Sequence, residues 1–513
     1  MTRTALLSVS DKTGLIDFAR ILVEEFQFNL ISSGGTAQAI KAAGIPVTKV
    51  SDYTGAPEIL GGRVKTLHPK VHGGILARVD LAEDREDLQA NQIDSIELVA
   101  VNLYPFQQTI AKPGVSLEEA IEQIDIGGPA MIRAAAKNHK YVTILSNPSQ
   151  YEACIAELRK NNGVISLELR RSLALAAFQH TQSYDLAISQ YLAAQAGESP
   201  IQSFVLSGHS PKSLRYGENP HQPATWYQIG SEPTGWSAAT QLQGKELSYN
   251  NLLDLEAARR IIAEFGDETP CAVIVKHNNP CGVALAPSLA VAYQKAFAAD
   301  STSAFGGIVA LNQTLDAETA QALTTTFLEC VVATGCDPAA AEILAAKQNL
   351  RVLVLPDLAA SEAETVRIIA GGMLVQQSDR LPVVPETWQI ATQKQPTPEQ
   401  LQELIFAWKV CRHVKSNAIV ITKDLATLGI GAGQMNRIGS AQIALAQAGN
   451  GARGAILASD GFFPFDDTVR LAAANGIVAI VQPGGSMRDK DSIQAADELG
   501  LVMAIANIRH FLH

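Results

Sequence analysis

Thr4-Ala5-Leu6-Leu7-Ser8-Val9-Ser10-Asp11-Lys12-Thr13-Gly14 decides the fold of the first part of this chain. A short apolar run, read as a strand over 4–10, gives way to a small polar loop, and residues 15–26 then carry helical periodicity. The pattern returns at once: the run 28–31 ends in Ser32-Ser33-Gly34-Gly35-Thr36, and a helix is expected over 37–43. Strand, small polar loop, helix, twice in succession, predicts a doubly wound parallel sheet. Small residues at such turns let backbone N–H groups and a helix N-terminus face a phosphate. Ser, Thr and Gly also merely cap helices, so one such loop says little. Two favour a phosphate-monoester site. Neither loop has the Walker spacing or Gly-x-Gly-x-x-Gly, which argues against a nucleoside triphosphate or a dinucleotide.

Working outward, Gly61-Gly62-Arg63-Val64-Lys65-Thr66-Leu67-His68-Pro69-Lys70-Val71-His72-Gly73-Gly74 offers the basic pair Arg63 and Lys65 as a functional candidate. His68 and His72 have the i, i+4 separation of a metal pair, but Pro69 and the glycines are expected to forbid the helix that aligns such a pair, so a metal is rejected. A strand at 98–102 leads into Leu103-Tyr104-Pro105-Phe106. Asp125 precedes a Gly-Gly-Pro helix start, where a carboxylate is either a cap or a functional acid. Lys137 falls near the end of the helix expected at 130–138, where a cation offsets the helix dipole. Lysine, tyrosine and aspartate at the element ends of one sheet suit proton transfer around a neutral carbonyl.

A long amphipathic helix at 171–195 runs into the linker signal Ala196-Gly197-Glu198-Ser199-Pro200, which sets the main boundary at 198/199. The first domain is therefore 1–198, with a sheet core over about 1–146, and the second is 199–513. A polar, proline-bearing stretch near 388–398 divides the second domain into two α/β units of similar rhythm, a hint of duplication. Leu214-Arg215-Tyr216-Gly217-Glu218-Asn219-Pro220-His221-Gln222 is a dense polar loop of the kind that is more often functional than structural. The buried-strand run 271–275 stops on Lys276-His277-Asn278-Asn279-Pro280, a turn signal expected to end the strand. A histidine titrates nearest neutral pH, and an ammonium beside it keeps the imidazole neutral and able to act as a base.

The chain has 513 residues, a net charge of −11 and 47% hydrophobic residues, a globular composition too long for one core. The acidic balance argues against nucleic-acid binding, and no apolar run reaches membrane-spanning length. Six cysteines without disulfide spacing (154, 271, 281, 330, 336, 411) and no signal peptide point to the cytoplasm.

Taken together these stretches resemble the bifunctional AICAR formyltransferase/IMP cyclohydrolase family of purine biosynthesis. The carriers are Ser8 to Gly14, Gly61 to His72, Asn102 to Phe106, Asp125 to Gly128, Arg133 to His139, Leu214 to Gln222, Lys276 to Gly282, Gly431 to Gln434 and Ser459 to Phe465, in the family's order along the whole chain. The resemblance implies an α/β fold: an N-terminal methylglyoxal-synthase-like parallel sheet followed by two cytidine-deaminase-like units. It implies formyl transfer from 10-formyltetrahydrofolate to AICAR, then closure of formyl-AICAR to IMP with loss of water. For transfer it points to His277 as proton acceptor, Lys276 beside it, and Asn417 on the formyl or carboxamide oxygen. Arg215, Tyr216, Gln434, Phe462, Asp467, Ser486 and Arg509 are implied on the AICAR side, with Phe305 and Glu329 toward the folate. At the last of these positions some relatives have aspartate where this chain has Glu329. For closure it points to Lys65, Tyr104, Asp125 and Lys137, flanked by Arg63, Thr66, Asn102 and Gly127. Ser10, Lys12, Thr13, Ser33, Gly35 and Thr36 would cradle the 5′-phosphate. The family precedent is a homodimer with no tightly bound cofactor, and it admits a monovalent cation such as K⁺ near Asn417 and the C-terminus.

Two rival readings are weaker. A zinc deaminase needs His-x-Glu and Pro-Cys-x-x-Cys, and Pro280-Cys281-Gly282-Val283-Ala284 lacks the second thiol. A nucleotide-sensing regulatory protein accounts for 1–140 but leaves Lys276-His277 and Arg215-Tyr216 without a role.

Overall fold

The apolar run at 4–7 becomes the centre of a parallel sheet, because Ala5, Leu6 and Leu7 are fully buried and helices cover both faces of their strand. The computed structural model describes residues 3–196, 204–230 and 233–513. They fall into two compact units, Met1–Ser207 and Gly208–His513. The expected linker lies outside the described residues except for Ala196, which closes the helix Leu167–Ala196.

In the first unit, β1 (Arg3–Val9), β2 (Phe28–Ser32), β3 (Thr48–Lys49), β4 (Ile96–Asn102) and β5 (Thr143–Leu145) lie in the order β3-β2-β1-β4-β5, all parallel. The order reverses between β1 and β4, and a doubly wound sheet opens its ligand crevice at the carboxyl ends of such a strand pair. One expectation fails here. A helix does form at Pro69–Leu76, because a proline at the first helical position gives up a donor that has no partner anyway, and His68 Nδ1 caps it by accepting from Lys70 N at 3.1 Å.

The second unit opens with a hairpin, β6 (Gly208–Ser213) and β7 (Thr225–Ile229). Its main sheet has twelve strands: β8 (Thr240–Gln243), β9 (Cys271–Lys276), β10 (Asn279–Leu285), β11 (Ile308–Leu311), β12 (Cys330–Ala333), β13 (Arg351–Val354), and then β16 (Gln389–Ile390), β17 (Ile419–Lys423), β18 (Ala426–Gly431), β19 (Ile456–Ser459), β20 (Ala479–Gln482) and β21 (Val502–Ile505). Between these sets lies the hairpin β14 (Glu364–Ile369) and β15 (Gly372–Gln377). The spatial order β16-β21-β20-β19-β17-β18-β10-β9-β11-β12-β13-β8 reads as one six-strand unit meeting its own copy head to head. Each copy runs edge strand, helix, antiparallel hairpin, helix, then three parallel strands joined by helices.

The repeat extends to single contacts. A Cβ on Gly282 of β10 would come within 1.8 Å of Ala296 O, and one on Gly429 of β18 within 2.0 Å of Ala444 O, so in both copies only glycine lets the following helix lie on the strand. Lys276 Nζ donates to Phe305 O (2.7 Å), and Lys423 Nζ donates to Arg453 O (3.1 Å) at the matching place. The hint of duplication in the sequence is thus a repeated architecture.

Period-2 burial shapes both faces. Cys271, Val273 and Val275 join a core that also holds Val420 and Ala458 of the second copy, while Ala272 and Ile274 face a separate core of the first. The helices Tyr249–Ile262 and Pro398–Cys411 cover the shared face. β9 ends at Lys276, on the turn signal as expected, but the turn is shorter than the polar stretch suggests. His277-Asn278 is a two-residue turn, and β10 resumes through Asn279 and Pro280, with a register shift between Pro280 and Gly282 absorbing the missing donor.

Candidate functional site

In the first unit the loops after β1, β2 and β4 gather at one end of the sheet. Asn102, last residue of β4, accepts from Ser10 N (2.6 Å) and Asp11 N (2.9 Å) and donates to Asp11 O (2.9 Å), so it fixes the first loop from the neighbouring strand. Thr36 Oγ1 accepts from Val9 N (3.0 Å) and donates to Val9 O (2.9 Å), which ties the second loop to β1. Ser8 Oγ and Ser33 Oγ lie 2.9 Å apart. The helix Gly34–Ala42 begins in this loop with Ser33 as its N-cap, and two lysines stand over it: a Cβ on Gly34 would lie 3.4 Å from Lys65 Nζ, and one on Gly35 would lie 3.9 Å from Lys12 Nζ. Two ammonium groups over a helix N-terminus are an arrangement suited to an anion. Lys65 also meets Glu58 at 3.3 Å.

Asp125 sits at the start of the helix Gly127–Lys137, where its Oδ1 accepts from Gly128 N (2.8 Å), so it is a cap. Burial pushes its carboxyl above the ordinary range. Tyr184 OH accepts from Asp125 N (2.8 Å) and donates to Gln123 O (2.9 Å), which holds the backbone around the acid. Thr66 is buried, and a Cβ on Gly127 would come within 2.6 Å of its Oγ1. Other candidates are less engaged. Thr13 spends both its N–H and its hydroxyl on Asp11 (2.9 and 2.7 Å), Arg63 pairs with Glu122, and Tyr104 and Lys137 are exposed, with no hydrogen bond from either side chain among the described residues.

In the second unit the turn His277-Asn278 closes the β9–β10 hairpin, with His277 exposed, Asn278 half-buried and both residues in the left-handed region (φ 52° and 61°). Asn279 Oδ1 accepts from Lys415 N (3.1 Å), which brings the turn against the segment Lys415-Ser416-Asn417. Asn417 donates to Gln434 O from both its backbone N (3.1 Å) and its side chain (2.8 Å). Buried Asp460 fastens this segment by accepting from Ala418 N (3.0 Å), Ser416 Oγ and Arg437. The chain's last residues lie alongside: Ser416 N donates to Leu512 O (2.8 Å) and Lys415 Nζ to His513 O (2.8 Å).

The polar loop at 214–222 is tied to the helix Tyr249–Ile262 by Tyr249 N donating to Tyr216 O (3.2 Å) and Asn250 Nδ2 to Glu218 O (3.1 Å). Arg215 stacks on Tyr216 at 5.3 Å, and Arg509 on Phe511 at 4.3 Å. Phe305 is exposed and packs on Phe327, with ring centroids 5.3 Å apart. Glu329 is held by Arg351 at 2.8 Å. Asp467 accepts from Thr468 N (2.6 Å), Ser486 Oγ accepts from Arg488 N (3.1 Å), and Phe462 is partly exposed. Sequence reasoning missed Asp460, Arg437 and Lys415. They are buried or backbone-directed groups on elements whose pattern reads as ordinary helix, strand or loop.

Two family models match the chain, an MGS-like domain over residues 14–130 and the AICARFT/IMPCHase bienzyme over residues 135–447, more than half its length. This chain belongs to the AICARFT/IMPCHase bienzyme family. The bifunctional purine biosynthesis protein PurH of Nostoc punctiforme is 67% identical over 515 residues, 100% of both chains. Proteins of the same name from a second Nostoc strain (67%) and from Synechocystis sp. (66%) also align over 100% of both chains. The crystal structure of ForH is 34% identical, covering 37% of this chain and 98% of that one with a TM-score of 0.33. As a member of the AICARFT/IMPCHase family the chain is an AICAR formyltransferase and an IMP cyclohydrolase of purine biosynthesis, with an MGS-like first domain and 10-formyltetrahydrofolate as the family's co-substrate. Among the described residues no helix is long and apolar enough to cross a membrane.

Proposed function

We propose that the two reactions are divided between the two clusters: formyl transfer at the Lys276–His277 turn and ring closure at the loops of the first sheet. The observation that carries this reading is the bond from Lys415 N to Asn279, which sets the histidine turn beside Asn417. In transfer, the exocyclic amine of AICAR attacks the formyl carbon of 10-formyltetrahydrofolate. His277 takes the amine proton, Lys276 steadies the developing negative charge, Asn417 donates to the formyl or carboxamide oxygen, and tetrahydrofolate leaves with a proton on its nitrogen. Arg215, Tyr216, Gln434, Phe462, Asp467, Ser486 and Arg509 serve AICAR, and Phe305 and Glu329 serve the folate.

Closure needs no strong nucleophile, since amide and formyl group sit on one ring. The carboxamide nitrogen attacks the formyl carbon, and the resulting carbinolamine loses water. Asp125, raised by burial, is the acid suited to that departure. Lys65, Tyr104 and Lys137 complete the proton handling, with Arg63, Thr66, Asn102 and Gly127 around them. Ser10, Lys12, Thr13, Ser33, Gly35 and Thr36 hold the phosphate.

The finer features follow the same resemblance: domains 1–198 and 199–513, a deaminase-like pair of units in the second, a homodimer and a cytoplasmic location. A K⁺ ion belongs beside Asn417. The oxygens of Ser416, Asp460 and Leu512 there are the hard donors such an ion takes, and bound it would stiffen the loop that carries Asn417. The test supplies His277→Ala and Lys276→Ala chains with AICAR and 10-formyltetrahydrofolate, and separately with formyl-AICAR. The reading expects loss of transfer with closure intact. Transfer at the wild-type rate by His277→Ala removes the histidine from the role.

A further inference from the structure

The duplicated architecture offers an internal control for the catalytic turn, and it exposes a carboxylate that the reaction scheme above does not use. In the first copy, Asn278 N donates to Asp254 Oδ1 at 2.6 Å. Asp254 is a half-buried residue in the middle of the helix Tyr249–Ile262. In the orientation that satisfies its amide, the Asn278 side chain also donates to Asp254 Oδ1 (3.1 Å) and to Leu253 O (3.2 Å). In the second copy, Leu425 N donates to Glu403 Oε2 at 2.8 Å, from the same place in the matching helix Pro398–Cys411. Both turns are two residues long, and both residues of each have positive φ: 52° and 61° for His277 and Asn278, 55° and 54° for Asp424 and Leu425. Neither turn contains glycine, so each holds a conformation that L-residues avoid. A carboxylate reaching up from the helix beneath and bonding the turn N–H is the device common to both.

The two copies differ in what the turn displays. The second shows Asp424 and Leu425, and the first shows an exposed imidazole. We propose that Asp254 is a positioning residue for formyl transfer: by bonding the Asn278 N–H it holds the His277 turn left-handed and so aims the imidazole, while Glu403 does the same mechanical work at a turn that carries no chemistry. This rests on His277 being the proton acceptor. Burial raises the Asp254 carboxyl, and the neighbouring turn N–H groups and His277 oppose that rise, as expected for a group that faces the turn.

The experiment compares Asp254→Ala, Asp254→Asn, Glu403→Ala and His277→Ala in the full chain. It reads kcat and KM for formyl transfer, ring closure from formyl-AICAR, and thermal denaturation. Asp254→Ala is expected to lower kcat on the order of 100-fold, the scale of a misaimed catalytic group, with KM for AICAR within about threefold and closure unchanged. Asp254→Asn keeps an acceptor for the turn and is expected to retain at least about a tenth of kcat. Glu403→Ala should lose thermal stability like Asp254→Ala yet keep kcat within about twofold. Two results overturn the proposal: Asp254→Ala with near wild-type kcat, or Glu403→Ala losing kcat as deeply as Asp254→Ala, which makes the loss one of general stability. Activity in His277→Ala would instead remove the reading underneath, so the two failures are told apart.

Discussion

At the scale of single residues, the two most informative side chains are carboxylates held away from water in different ways. Asp125 caps its helix by accepting from Gly128 N but is raised above its ordinary 3.8 by burial, so its charged form is disfavoured in the fold. A carboxyl raised in this way costs stability that sets in as pH climbs from its unfolded value through its folded one. Asp125→Asn keeps the cap and removes the charge. It is expected to raise the melting temperature at pH 7 by about 1–4 °C while abolishing closure of formyl-AICAR, which calorimetry and an IMP absorbance assay check together. Asp460 is the opposite case, a fully buried anion neutralised by Arg437. Arg437→Met leaves that charge alone and should cost about 3–5 kcal/mol, read as a lower urea midpoint for the second unit. Of these residues only Asp125 was legible in the sequence, since a carboxylate ahead of a Gly-Gly-Pro helix start is either a cap or a functional acid. Asp460 lies in the stretch Ser459 to Phe465 that carries the resemblance, but nothing there marks it as a buried anion, and its partner lies 23 residues away.

At the scale of elements, strand–loop–helix rhythm made the first sheet readable, because each parallel strand there is a continuous apolar run followed by its own turn chemistry. Proline misled twice. Before Lys70 it marked a helix start and not a break, and after Asn279 it sat inside the return strand beside a register shift and not in a loop. Its effect depends on whether its missing N–H is needed, which is a property of the partner strand or turn and not of the local sequence. The paired glycines give the element-scale prediction. Gly282→Ala and Gly429→Ala should each cost about 1–3 kcal/mol in chemical denaturation, since each methyl meets a backbone carbonyl of the following helix. Only the first should also depress formyl transfer, because β10 begins at Asn279, next to the turn proposed to carry that chemistry.

At the scale of the whole molecule, family and fold class were legible because the matching motifs run along the entire chain, and the relatives align over its full length. The head-to-head pairing of two copies in one sheet was not, because strand order records contacts between residues far apart in sequence, and the copies share geometry more than residues. That sheet lies in one compact unit and the loops proposed to hold the phosphate lie in the other, so the two chemistries are expected to have separate centres. The most direct measurement mixes two defective chains, His277→Ala and Lys65→Ala, with AICAR and 10-formyltetrahydrofolate and follows IMP. No IMP is expected from His277→Ala alone, formyl-AICAR without IMP from Lys65→Ala alone, and IMP after a lag from the mixture as the released intermediate passes between chains. IMP at the wild-type rate from either variant alone, or none from the mixture while Lys65→Ala still makes formyl-AICAR, contradicts the separation of centres.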